Sequence, residues 1–290
     1  MQNNVLLGIG LMVVTTFMFS TMDGVSRYLA ENNNVFTLVT MRYWFIAIVM
    51  AITCLFVKDS FQKILYTKQP FTQFSRGLIL SLNNCLVVYT FTLLGLVETH
   101  AIIACYPLIV AGLSVPFLGE KFGWRRWTAI FIGFVGVIII LRPTTNVISE
   151  GAIYALVGAI MFAVYLILTR YVSRLDKAIT SFFWAGIGGS VTMTIISFFI
   201  WENILKEDFL WLLIMCVLSA SSHFMMVKTL QVAEASVIQP FSYLQLVFGS
   251  IIGVTIFSES IDLMIIVGVT IVIGAGLFTA WREYIKKHTT

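Results

Sequence analysis

Long apolar stretches separated by short polar ones run the length of the chain. They fall at residues 5–29, 35–57, 74–94, 97–118, 124–141, 151–171, 180–201, 209–230, 233–257 and 263–281. A helix needs about 20 mostly apolar residues to cross a hydrocarbon core of about 30 Å. Barrel strands need only about ten alternating residues, and lipid leaves no water to satisfy an open backbone, so these runs predict spanning helices. The connections are short except for a polar one from Lys58 to Gln73, which leaves no room for a separate soluble domain. The expected fold is all-α and integral to a membrane, with ten transmembrane helices. Composition agrees: 59% of the 290 residues are hydrophobic and 11% charged, against about 45–50% and about 25% in soluble domains.

Charge placement predicts orientation. With alternating spans, one side carries Lys58, Lys63, Lys68, Arg76, Lys121, Arg125, Arg126, Arg170, Arg174, Lys177, Lys228, Arg282, Lys286 and Lys287. The other carries only Arg27, Arg142 and Lys206, while Arg42 lies inside the second span. A missed or spurious helix would exchange the sides of everything after it, so this split predicts both termini in the cytoplasm. The net charge of +4 thus sets topology and gives no reason to expect a nucleic acid partner. Trp124, Trp127, Trp201, Trp211 and Trp281 fit an interfacial belt. Met1-Gln2-Asn3-Asn4 lacks a basic region and the run after it lacks a small-residue cleavage site, so a first span is expected there. Cys54, Cys85, Cys105 and Cys216 lie in apolar runs with no C-x-x-C and no Cys/His cluster, which predicts small core residues and no metal.

The chain also echoes itself. At a spacing of 143, Met18-Phe19 falls on Met161-Phe162, Ser26-Arg27-Tyr28 on Thr169-Arg170-Tyr171, and Thr37 on Thr180. A second echo pairs Glu98 with Glu234 and Glu120 with Glu259. Two repeats, 1–142 and 149–284, would each hold five spans. An odd number inserts the second copy upside down, and inverted repeats of this kind build alternating-access carriers with a site near the bilayer midplane.

Several motifs carry a resemblance. They are Tyr106-Pro107, Pro116-Phe117-Leu118-Gly119-Glu120-Lys121, Trp124-Arg125-Arg126-Trp127, Gly133-Phe134-Val135-Gly136 and Leu141-Arg142-Pro143, together with Thr21 through Tyr28 and Leu168-Thr169-Arg170-Tyr171. The chain resembles the drug/metabolite transporter superfamily in its ten-helix, two-repeat EamA-type branch. The second half departs at Phe257-Ser258-Glu259-Ser260, where that family often has Gly-Glu and a basic residue. The resemblance implies that helices one, three, four, six, eight and nine enclose a central cavity, with five and ten at the periphery. Within the superfamily it is nearest to carriers of riboflavin and S-adenosylmethionine, then to amino-acid and general metabolite or drug exporters.

Polar residues inside spans are expensive and so mark candidate sites. Asp23 and Arg42 have similar expected depths; a buried salt bridge competes with contact to substrate or proton. His223 follows Ser219, Ser221 and Ser222 in helix eight, where an imidazole can serve proton coupling or substrate contact, or hydrogen-bond between helices. Asn83 and Asn84 fall at the middle of helix three, with Tyr89 further along it. Tyr165 lies in helix six, and Tyr106, Gln239, Tyr243 and Gln245 flank the prolines of helices four and nine. Paired helix interruptions at Pro107 and Pro240 are the strongest sequence pointer to a binding site. His100 reads as interfacial. Gly133, Gly136, Gly268, Gly274 and Gly276 predict close contact of helices five and ten, or dimerisation through them. Gly186, Gly188 and Gly189 follow no strand and are no nucleotide loop.

No H-E-x-x-H, G-x-S-x-G or G-x-x-x-x-G-K-[ST] occurs, so neither an enzyme nor built-in ATP hydrolysis is expected. No cofactor is expected. The remaining reading is a secondary transporter of a small polar or planar organic molecule in an inner membrane, as monomer or homodimer, with a non-transporting scaffold or membrane-embedded enzyme as the competing classes.

Overall fold

A computed structural model describes residues 5–56, 65–119, 123–141, 149–172, 175–232 and 239–289. Among them there is no strand. Ten α-helices follow one another: α1 (Val5–Ala30), α2 (Val35–Phe56), α3 (Pro70–Ile103), α4 (Tyr106–Leu118), α5 (Trp124–Leu141), α6 (Glu150–Val172), α7 (Ala178–Ile200), α8 (Phe209–Val232), α9 (Leu244–Phe257) and α10 (Leu263–Thr289). Six helices are long and apolar enough to cross a membrane, and the segments Tyr106–Phe117, Trp127–Leu141, Phe241–Phe257 and Leu263–Phe278 are shorter apolar helices.

Local chemistry sets several boundaries. Asn34 Oδ1 accepts the N–H of Phe36 at 2.9 Å and starts α2, Ser149 Oγ accepts that of Ala152 at 3.2 Å before α6, and Asp262 Oδ1 accepts that of Met264 at 2.8 Å before α10. Each satisfies a donor the first helical turn leaves open. Two expected spans prove to be interrupted. α3 runs past the expected end at Leu94 through Gly95, whose φ of 80° and ψ of −179° break it, and the fourth span stops again at Ala104 before α4. The expected ninth span begins among undescribed residues and then takes a 3-10 turn, Gln239–Tyr243, before α9. In both, a proline removes a helix donor near the break.

The packing has a pattern. α1 packs on α8 as α3 does on α6; α1 packs on α9 as α4 does on α6; α2 packs on α8 as α3 does on α7; α2 meets α7 and α5 meets α10. Exchanging the first five helices with the last five maps these pairings onto themselves. Gly136 and Gly268 face each other across α5 and α10, where an added Cβ would lie 2.8 Å or less from the opposite carbonyl. Of the five glycines expected to bring these helices close, Gly136 and Gly268 do so to one another and Gly133 lies near Ala275, whereas among the described residues Gly274 has nothing against it and Gly276 faces Tyr243. An apolar core joins Ile102, Leu108, Ile140, Ala155, Leu246 and Val272, and a second joins Met22, Leu29, Leu38, Leu212 and Met215.

Both ends of the bundle are tied by polar groups. At one end Asn33 donates to Asp208 at 2.6 Å and Asn34 to Glu202 at 3.0 Å, joining the α1–α2 turn to the α7–α8 connection. There too Glu259 pairs with Arg27 and accepts the N–H groups of Leu96 and Val97 at 2.9 and 2.8 Å. At the other end Thr67 donates to Asp176, Gln73 donates to Asp176 at 2.8 Å and to Ser181 at 3.0 Å, and Arg76 binds Gln73 and Thr169. The connections share ends as alternating spans require.

Candidate functional site

One buried polar group lies where α1, α2, α8 and α9 meet the end of α3. Asp23 is buried and accepts a hydrogen bond from Gln245 Nε2 at 3.1 Å. Ser20 donates to the backbone carbonyl of Gln245 at 2.9 Å, fixing α9 against α1. His100 Nε2 approaches Asp23 Oδ2 to 3.5 Å, too long for a well-made hydrogen bond, and has no other hydrogen-bond partner. Arg42 reaches in from α2 at 2% exposure, with its NH1 3.7 Å from the Met22 sulfur and its Nε without a hydrogen-bond partner. It thus lies against α1 inside the bundle.

The expected Asp23–Arg42 contact is not made. Asp23 turns to Gln245 and His100, and no ion pair joins it to Arg42. Similar depth in two helices does not fix the direction in which each side chain points around its helix, and that direction decides the contact.

The other expected residues divide. Asn84 donates to the Tyr43 hydroxyl at 2.9 Å, and Ser190 donates to the Tyr43 carbonyl at 3.0 Å. Asn83 is buried at 4% exposure with its Oδ1 lacking a hydrogen-bond partner. His223 Nδ1 meets the Ser219 carbonyl at 2.9 Å within its own helix, and its ring stands edge-on to Phe19 at 5.0 Å. Tyr106 bonds to Ser242 and meets Phe162 edge-on at 4.9 Å; Phe162 stacks on Tyr165 at 5.9 Å, and Arg76 lies over Tyr165 at 5.3 Å. These rings form a second group beside the first. Tyr243 is packed in the apolar core against Gly276 of α10, and Tyr89 is 45% exposed beside Tyr154, so neither joins the buried polar group. The side chain of Gln239 lies outside the described residues, as do Glu120 and Glu234.

Sequence reasoning passed over three residues here. His100, read as interfacial, sits against Asp23. Arg76 was counted among the loop cations but is 2% exposed, and its i, i+3 spacing from Gln73 just inside Pro70 was the available signal. Glu259 stood out only as a departure from a motif and as the echo of Glu120, with no role assigned to it. A groove of about 460 Å³ between α9 and α10 contains none of the expected residues: it is lined mostly by aliphatic side chains such as Val247, Ile251, Ile265 and Val269, with the hydroxyl residues Ser250, Thr255 and Thr270 among them. Such walls carry no charged or amide side chain to orient a polar solute, so the chemistry argues for the buried group.

The EamA-like transporter family profile matches residues 6–142 and 149–281. This chain belongs to the EamA-like transporter family. It is a multi-pass membrane transporter of the drug/metabolite superfamily, whose substrates are small molecules. The S-adenosylmethionine uptake transporter of Rickettsia felis is 28% identical over 281 residues, covering 96% of this chain and 94% of that protein. The riboflavin transporter of Brucella anthropi is 23% identical over 66% of this chain and 69% of its own length. A solved structure, titled only as the crystal structure of a protein, aligns with a TM-score of 0.66 at 12% identity over 94% of this chain and 96% of that one, a likeness of fold alone.

Proposed function

We propose that the chain is a secondary carrier of the bacterial inner membrane, built from two inverted five-helix repeats, 1–142 and 149–284, with both termini in the cytoplasm. It moves a small polar organic metabolite by alternating access, and S-adenosylmethionine is the leading candidate. The interchangeable pairing of the two halves supports the repeat. The observation that carries the function is the polar group around Asp23 and Arg42, buried where helices of both halves meet. Buried polar atoms without partners, here Arg42 Nε, Asn83 Oδ1, His100 Nε2 and Ser219 Oγ, are rare in packed interiors and suit a site that meets a polar solute. Polar residues within spans are functional by default for the same energetic reason. The name of the Rickettsia felis relative supports the substrate.

Riboflavin is the second reading. The Tyr106, Phe162 and Tyr165 rings offer aromatic faces to a planar ring, and the Brucella anthropi relative carries that name. Cells expressing the protein should accumulate or exchange labelled S-adenosylmethionine above empty-vector cells. Exchange of riboflavin alone would select the second reading, and exchange of neither would remove both.

A further inference from the structure

The charges of the interior are unusual in being separate. Arg42 is 2% exposed, and no ion pair joins it to any carboxylate among the described residues. Its contacts are the Met22 sulfur at 3.7 Å and an Nε with no hydrogen-bond partner. A guanidinium buried without an anion is costly, and proteins seldom keep one for packing. Asp23 is the converse: its oxygens meet the neutral Gln245 amide at 3.1 Å and, at 3.5 Å, His100, with no Lys or Arg bound to it. No contact joins the two charges. Asp23 is engaged by Gln245 and His100, while Arg42 rests against Met22, the residue before Asp23.

We propose that Arg42 and Asp23 form a zwitterion site, in which Arg42 receives a substrate carboxylate and Asp23 a nearby substrate cation. The proposal rests on the carrier reading and narrows its substrate class to metabolites bearing an α-amino carboxylate. A solute that is only anionic meets repulsion from Asp23, and one that is only cationic meets repulsion from Arg42. A neutral flavin would strip water from both charges and return hydrogen bonds but no counter-charge to either. A zwitterion satisfies both at once, and the planar guanidinium suits two parallel bonds to a carboxylate. Gln245 and His100 act as positioning residues that aim Asp23.

The test is binding to the purified full-length protein in detergent, using S-adenosylmethionine, its decarboxylated analogue, methionine and riboflavin. The analogue differs only by the carboxylate. It should bind wild type about tenfold or more weakly than S-adenosylmethionine, the factor expected for one hydrogen-bonded charge. Arg42→Gln should leave the melting temperature of the ligand-free protein at or above wild type, because it removes an unpaired charge, and should bring the two affinities together. Arg42→Lys should retain part of the difference. Equal binding of the analogue to wild type, or a difference that survives Arg42→Gln, overturns the proposal, and the wild-type comparison needs no variant to fold. Binding of riboflavin alone also overturns it while leaving the carrier reading intact. The predicted affinity differences without any transport of these probes would instead fail the carrier reading and support the site. No binding of any probe overturns both.

Discussion

Replacing Glu259 with Gln should open the end of the bundle that its carboxylate holds shut. The two oxygens accept the N–H groups of Leu96 and Val97 at 2.9 and 2.8 Å, immediately after the break at Gly95. The same carboxylate pairs with Arg27, whose guanidinium also lies 4.1 Å from the centre of the Phe257 ring. One side chain therefore joins α1, α3 and the end of α9. A hydrogen bond to a charged acceptor contributes about 1.5–3 kcal/mol. The amide keeps one acceptor oxygen and turns its NH2 towards a second donor, so about one such bond is lost. The ion pair, whose side chains are 16% and 12% exposed, adds about 1 kcal/mol after solvent screening. The total is about 3 kcal/mol, or about two powers of ten in an opening equilibrium. Glu259→Gln should lower the melting temperature and speed the reaction of a Leu96→Cys probe with a membrane-impermeant maleimide. Arg27→Gln should do both more weakly, because the carboxylate still serves the two N–H groups. A Glu259→Gln protein that melts and labels like wild type, or an Arg27→Gln effect larger than that of Glu259→Gln, would refute the reasoning.

Three further outcomes are expected. Ser258 ends α9 with φ of 54°, a left-handed conformation that costs a non-glycine residue about 1 kcal/mol, so Ser258→Gly should raise thermal stability by up to that amount, read by unfolding in detergent. Because Asp23 and Arg42 do not touch, the Asp23→Asn/Arg42→Gln protein should show the sum of the single effects on folded abundance; recovery in the double variant, measured by fluorescence-detected size exclusion, would restore the salt bridge. Reporter fusions at Gln73 and Lys287 should report cytoplasm and fusions at Asn33 and Asn146 periplasm, and any reversal among the four would break the topology.

Helices were legible because the bilayer imposes one length and forbids open backbone. Trp124–Leu141 is bounded as the pattern predicts, and the ends of α1 and α2 fall within a residue of expectation. Pro107 and Pro240 correctly marked interruptions, while Gly95 did not stand out, because an apolar run reads through a glycine whose positive φ only the fold reveals. For the polar residues, burial was legible and pairing was not. Composition makes Asp23 and Arg42 costly wherever they face, but whether they meet depends on helix rotation, and the partner that turns Asp23, Gln245 of α9, lies 222 positions away in sequence. Separation in sequence also hid Glu259, whose partners Arg27 and Leu96 lie in the other half of the chain. For Tyr243 the polar position beside a helix break was legible, but its packing over Gly276, with the hydroxyl buried and without a hydrogen-bond partner among the described residues, was not.

The central claim, that the protein is a carrier needing no nucleotide, is tested most directly by counterflow. Proteoliposomes loaded with unlabelled S-adenosylmethionine or riboflavin and diluted into a trace of the labelled compound should take up label transiently above its equilibrium level for at least one of the two. Label that never exceeds protein-free liposomes for either compound, with protein shown to be folded, would contradict the claim.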